Sequence, residues 1–415
     1  MTTPSLARQT CAGTTMPAAI ARRYATPRLA MFAVALALVA GGPFAVAADA
    51  PAEASSESIP VVGALETVAT FNGAMPTGVT VTETGRIFVN FPRWGDDVPF
   101  TVAELRNGQP VPYPDAEINR DDASAPATHF ISVQSVVADG RGRVWVLDTA
   151  APKFSSPLPG GAKLVAIDLA TNRVVKTLVF PPEVMGPRTY VNDMRFDFRV
   201  GEEGVAYVTD SSLSGIGGII VMDLATGRAI RRLTGHVSTS ADRGFLPVVE
   251  GQPLRNRNPD GSTSPFLVAS DGIALSPDGK TLYFCALTGT HLYAVPTEML
   301  RDPNVGEAQL AGAVRDLGVK GASDGLEADA NGAVYAGDYE HNAILKRSPD
   351  GQWHTLARDP RLLWPDTLSI GPDGYLYVTA NQLHRQAGFH GGRDLRQKPY
   401  HLFRVRVDAA PALTR

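Results

Sequence analysis

Cysteine is nearly absent: Cys11 and Cys285 are the two in 415 residues. Cys11 falls in a leader-like N-terminal stretch, so the rest of the chain has one thiol and no intramolecular disulfide, even in an oxidising compartment. Cys285, alone in an apolar strand-like run, reads as a small buried hydrophobe. Clusters of lysine and arginine are missing too, which leaves no footprint for nucleic acid or an anionic membrane. No HExxH, paired CxxC or GxSxG occurs, and the eight histidines are scattered singly, so the zinc-peptidase and nucleophile-elbow chemistries are excluded. The Gly-rich "SSLSGIGGI" (Ser211 to Ile219) joins two strand-like runs without the helix a dinucleotide phosphate needs, and reads as a hairpin loop.

One long apolar run is present, at the N-terminus. Residues 1–47 carry Arg8, Arg22, Arg23 and Arg28 but no acid, then "LAMFAVALALVAGGPFAVA" and a small-residue site at Ala45-Val46-Ala47. This is the layout of a cleaved secretory signal. A membrane anchor is opposed by Gly41, Gly42 and Pro43, which cut the run short of the ~20 residues a span needs. Arg22-Arg23 suggests twin-arginine export, yet "ARRYAT" lacks the apolar residues expected after such a pair, and the export route stays open. Cleavage leaves 34 basic against 42 acidic side chains, a net charge of −8. The expected product is secreted or periplasmic and monomeric, makes no membrane contact after cleavage, and is large enough for a substantial core.

What the chain has in abundance is repetition. "SDGIALSPDGKTLYFC" (Ser270 to Cys285) and "SDGLEADANGAVYAGD" (Ser323 to Asp338) share a layout in which the opening Asp271 or Asp324 precedes the turn glycine, Gly279 or Gly332, by eight positions. Counting back eight from comparable turns in "GPDGYLYVTA", "ADGRGRVWVLD" and "TETGRIFVN" gives Asp366, Gln134 and Thr77. A sixth unit, "VNDMRFDFRVGEEGVAYVTD", has a longer turn and opens with Asn192-Asp193. Second halves follow as hairpins, among them "LVAIDLATNRVVKTL" and "IIVMDLATGRAIRRL", which match across fifteen positions. The uneven spacing rules out a solenoid and suits propeller blades joined by variable loops. The predicted fold is all-β: a six-bladed β-propeller of four-stranded blades over residues 64–408. Its last blade is closed by pairing the N-terminal "ALETVATFN" with the C-terminal "HLFRVRVD", and flexible segments are expected at 48–63 and 409–415.

In such a ring the first strand of each blade lines the central channel, so Thr77, Gln134, Asn192 or Asp193, Asp271, Asp324 and Asp366 should ring one mouth. Like charges gathered there repel unless a cation, an amine or protons neutralise them. The competing reading is that each Asp or Asn caps backbone amides where a loop enters a strand. His129, just before the second inner strand, is the candidate general base. Trp364, Trp94 and Phe91 are candidates for the channel wall.

The chain resembles the yellow / major royal jelly protein family. The segments that carry the likeness include "SVQSVVADGRGRVWVLDTA", "YVNDMRFDF", "AYVTDSSLSGIGGIIVMDL", "DGIALSPDGKTLYFCAL" and "LLWPDTLSIGPDGYLYVTANQL". The resemblance implies a secreted propeller with a small-molecule site in its channel, for aromatic amines or lipids, and in some members dopachrome conversion. The single remaining cysteine departs from the disulfides of animal members and suggests a bacterial-type protein. The family's polar pair from the last blade maps onto Thr367 and Asn381, with Leu383 where an aromatic is common; Gln134 and Asp193 complete the implied ligand set. A more distant resemblance, to gluconolactonase and regucalcin propellers, implies a calcium ion held by Asp271, Asp324 and Asn192 or Asp193, and the ring adds Asp366, so that the expected metal set is Asn192, Asp271, Asp324 and Asp366. Blade 1 offers Thr77 where that family has Glu. The two expectations are therefore a ligand-binding protein without turnover, or a cation-dependent lactone hydrolase or dopachrome-type isomerase.

Overall fold

Each repeat forms a four-stranded antiparallel sheet in the computed structural model, which describes residues 60–412. The inner strands are Val79–Val81, Val133–Ala138, Val191–Asp197, Ser270–Leu275, Ser323–Ala328 and Pro365–Ile370, for blades 1 to 6 in order. Each packs beside the inner strands of both neighbours, and blade 6 returns to blade 1, so the ring is closed. Strand order in blade 6 is Pro365–Ile370, Tyr375–Ala380, Tyr400–Arg406 and then the N-terminal Leu65–Phe71. The last pair runs antiparallel from Leu65 opposite Val405 to Phe71 opposite Tyr400, which removes the sheet edge the sequence left open.

Burial follows position within the blade. The inner strand Ser270–Leu275 is buried at every residue, whereas the outermost strand of blade 2, Arg173–Val179, is largely exposed. Between neighbouring blades the apolar faces interlock. Trp145, Leu147 and Leu164 of blade 2 meet Met194, Phe196 and Ile220 of blade 3, and Tyr207 and Ile219 of blade 3 meet Ile273 and Phe284 of blade 4. A further cluster sits over one mouth of the channel and includes Leu254, Phe266, Tyr339, Trp364, Leu383 and Phe389.

The Asp-Gly pairs are explained by how closely the inner strands approach. A Cβ on Gly325 would lie 2.5 Å from the carbonyl oxygen of Asp366, and one on Gly272 would strike the carbonyl of Asp324. Both distances are shorter than side chains tolerate, so the residue after Asp271 and after Asp324 has to be glycine, where the next blade presses against it.

Loops between blades vary, as expected. The connection from blade 3 to blade 4 carries two small hairpins, Val248–Val249 with Gln252–Pro253 and Arg255–Arg257 with Thr263–Pro265. The leader expected at 1–47 lies outside the described residues. Of the segments expected to be flexible, the described parts are tied down. Val62 and Arg358 exchange backbone hydrogen bonds of 2.9 Å, and the Ala330 and Ala412 amides bond the carbonyls of Ala410 and Ala328. Backbone pairing with blade 5 thus extends order past both expected boundaries.

Candidate functional site

Every inner strand but the short one of blade 1 carries a β-bulge at its start. Register slips between Ser270 and Ile273, Ser323 and Leu326, Pro365 and Leu368, Val191 and Met194, and Val133 and Ser135. The bulge makes Asn192 the counterpart of Asp271, Asp324 and Asp366. One residue further on, Asp193 takes the position of Gly272, Gly325 and Thr367, and strand alternation turns it the other way.

The structure follows that register. Gln134, Asn192, Asp271, Asp324 and Asp366 line one cavity of about 280 Å³, together with Leu383. Asp193 and Thr367, expected in the same site, instead line a separate pocket on the channel with Arg195 and Glu327. There Asp193 accepts from Ser135 Oγ (2.8 Å), its neighbour's amide (2.8 Å) and Arg195 Nη1 (3.0 Å). It is therefore committed to an ion pair and does not face the ligand cavity. Thr77 holds the blade 1 position but is fully buried, accepting from Asn90 Nδ2 (2.8 Å).

Among the described residues the three ring carboxyls are bonded to side chains only. Asp271 accepts from Asn192 Nδ2 (2.5 Å) and Ser211 Oγ (2.9 Å), Asp324 from Trp364 Nε1 (2.8 Å), and Asp366 from Asn381 Nδ2 (2.6 Å) and Thr367 Oγ1 (3.1 Å). Capping of entering loops falls to aspartates at the ends of second strands. Asp148 accepts the Ile131 and Ser132 amides at 2.7 and 2.9 Å, and Asp210 accepts the Tyr190 amide at 2.7 Å. The ring aspartates are thus relieved of the capping role.

Burial raises the proton affinity of all three. Asp324 is pushed up to about 6, chiefly by desolvation and in part by the charge of Asp193, against the hydrogen bonds from Asp271 and Trp364. Asp271 and Asp366 are raised well above the usual carboxylate range, first by burial and then by the charge on Asp324. The charges of Asp271, Asp324 and Asp366 thus oppose one another's ionisation, which an arriving cation would relieve.

Aromatic walls rise from this floor. Trp94 stacks on Phe154 with centroids 4.8 Å apart, and Phe154 leans on Tyr190 at 5.4 Å. Trp94 Nε1 donates to the Tyr190 hydroxyl (2.7 Å), which donates to Gln134 Oε1 (3.0 Å). On the far side Phe266 and Phe389 meet edge to face at 5.3 Å. Outside the cavity lining Trp364 is fully buried, stacked on Tyr339 at 4.2 Å, with its backbone in the left-handed region at φ +61°. A bulky residue holds that conformation only where its surroundings over-determine it, and here the stack and the bond to Asp324 do so.

Of the expected wall residues Trp94 lines the cavity, Trp364 does not line it but bonds Asp324, and Phe91 packs between blades 6 and 1. His129 does not line the cavity. Its ring lies in the loop before blade 2, within 3.2 Å of Arg120 Nη2 and Thr128 Oγ1, because the loop turns it away from the inner strands. Asn381 acts through Asp366 and does not line the cavity. Tyr190, Ser211, Phe154, Phe266 and Phe389 had not been expected. Tyr190 and Ser211 adjoin quoted repeat segments and were open to recognition, whereas the three phenylalanines stand in loops without period.

Residues 131–413 match the family model described as major royal jelly protein. Protein yellow of Drosophila erecta is 30% identical over 250 residues, covering 55% of this chain and 42% of that protein, and the Drosophila melanogaster protein gives the same identity and coverage. The match thus spans about two fifths of the length of these relatives. Among solved structures, a calcium-binding regucalcin from Agrobacterium tumefaciens superposes with a TM-score of 0.51 at 16% identity, over 85% of this chain and 98% of that one. A gluconolactonase from Xanthomonas campestris gives 0.51 at 14%, over 84% and 95%. At these identities the two structures establish a shared propeller fold.

Proposed function

The chain belongs to the major royal jelly protein family, and from that premise we propose that it is an exported propeller that holds a small organic cation in its channel cavity. The ligand presents an amine to Asp271, Asp324 and Asp366 and a flat apolar body to Trp94, Phe154, Tyr190, Phe266 and Phe389. One observation carries this reading: three buried carboxyls, with no backbone partner among the described residues, form the floor of a cavity whose walls are aromatic. Carboxylates and aromatic faces both attract ammonium groups, the latter by about 0.5 to 2 kcal/mol each. The volume, about 280 Å³, suits a one-ring or two-ring amine at the small end of ligand sites.

The calcium-dependent alternative is less well supported by the donor set. Calcium takes six to eight oxygens at about 2.3 to 2.6 Å. Asn192 turns its NH₂ towards Asp271, blade 1 supplies a buried threonine hydroxyl, and among the described residues no group of three or more His, Cys, Asp or Glu is placed to hold a metal ion. These residues do not fit the ion.

Calorimetric titration of an arylalkylamine such as tyramine into the purified protein, with and without EDTA, tests the reading. Saturable binding that EDTA leaves unchanged and Asp324→Asn weakens is expected. Absence of binding, or binding that needs added calcium, would refute it. Export is tested by N-terminal sequencing of periplasmic or secreted protein, which should begin near Ala48.

A further inference from the structure

Next to the cavity, and sharing Phe389 with it, lies a larger groove of about 790 Å³. It runs between the two hairpins of the blade 3 to blade 4 connection and the loop after strand Tyr375–Ala380. Its charge is one-sided. Arg255, Arg257, Arg385 and Arg393 line it against one carboxylate, Glu250, on a chain whose acids outnumber its bases by 42 to 38.

Glu250 is already occupied. It accepts from His384 Nε2 (2.8 Å) and from Arg385 Nε (2.7 Å) and Nη2 (2.5 Å), and these bonds, that of His384 first, hold its carboxyl down at about 2. Among the described residues no ion pair engages Arg255, Arg257 or Arg393; the Arg257 guanidinium reaches only the carbonyl of Pro253, at 3.5 Å. Guanidinium groups gathered in one groove repel one another unless an anion lies between them. His384, 4% exposed and bonded through Nε2 to Glu250, fixes that carboxylate at Arg385, so it is not free to neutralise the other arginines.

We infer that this groove is a second binding site, for a multivalent oxyanion: a molecule carrying two or more carboxylate, phosphate or sulfate groups. The planar guanidinium offers parallel N–H donors that match such groups two at a time. Leu254, Phe389 and Leu395 supply apolar surface for a carbon skeleton between the charges. The site differs in sign from the acidic floor of the channel cavity, so the two select different ligands.

Calorimetry at low salt tests this with citrate, inorganic phosphate and sulfate as probes. Citrate binds saturably and more tightly than either inorganic ion. The double variant Arg255→Ala/Arg257→Ala weakens it about tenfold or more, the scale of losing charge-assisted hydrogen bonds. Arg393→Ala, in an exposed loop, weakens it as well and serves if the hairpin variant fails to fold. Both variants retain the parent's behaviour towards tyramine. Absence of citrate binding overturns the inference, as does an affinity unchanged in both variants. Loss of citrate binding in Asp324→Asn would place the anion in the channel cavity and overturn it too.

Discussion

Replacing Asp324 by asparagine should stabilise the ligand-free protein, and only above a certain pH. Asparagine has the shape of aspartate, so its oxygen still accepts from Trp364 Nε1 and its amide can donate to Asp271. What changes is ionisation. In the folded chain the Asp324 carboxyl sits at about 6, some two units above the 3.9 of an unfolded aspartate, and each unit is worth about 1.36 kcal/mol. The folded-state value is the raised one, so the folded chain holds this proton more tightly. The stability that the proton confers is fully present below about pH 4 and is lost as pH rises through 6. At pH 8 the ionised group costs about 3 kcal/mol, an upper figure, because Asp271 takes up part of the charge when Asp324 is gone. With an unfolding entropy of about 2.1 cal/mol/K per residue over some 350 residues, that amounts to a rise in Tm of about 4 °C. Scanning calorimetry of both proteins at pH 4.5 and pH 8 should show about a third of the gain at the lower pH and the full gain at the higher. A variant that melts below its parent at pH 8, by the 0.5 to 2 kcal/mol expected of a lost cap, would refute the argument, as would a difference independent of pH.

Deleting residues 58–73 removes the strand that completes blade 6 and with it the buried Phe71. A cost of at least about 3 to 5 kcal/mol follows, and a truncated protein that melts like the parent would disprove closure. Gly272→Ala forces a Cβ onto the Asp324 carbonyl and should cost about 1 to 3 kcal/mol, read by urea denaturation. By contrast Gly312→Ala, within the helix Glu307–Ala313 and facing open space, should stabilise by about 0.4 to 1 kcal/mol in the same assay.

The blades were legible because each announces itself twice, by an alternating strand and by a turn glycine at a constant offset. Gln134, Asp271, Asp324 and Asp366 come together on one cavity for the same reason. The offset failed at blade 3, whose longer turn hid the register: Asn192 and Asp193 are adjacent in sequence, and only the bulge decides which faces the cavity. Thr367, named from the family resemblance, stands one residue past Asp366 and so lines the other pocket. Phe154, Phe266 and Phe389 come from loops whose conformation is set by packing over the channel mouth, and no period marks them. Nor does any basic run reveal the groove, since Arg255 and Arg257 meet Arg385 and Arg393 from some 130 positions away.

The pairing of Leu65 with Val405 joins residues 340 positions apart, and it has a consequence in time. Contacts that distant carry a high loop-closure entropy and form late. Five blades can assemble from neighbouring segments as the chain emerges, but the sixth waits for the C-terminal strand. Until then Leu65–Phe71 is an unpaired β-strand, open to the same segment of another copy. Refolding yield should therefore fall with protein concentration more steeply than equilibrium stability does, since the vulnerable species is the ring before its last strand arrives.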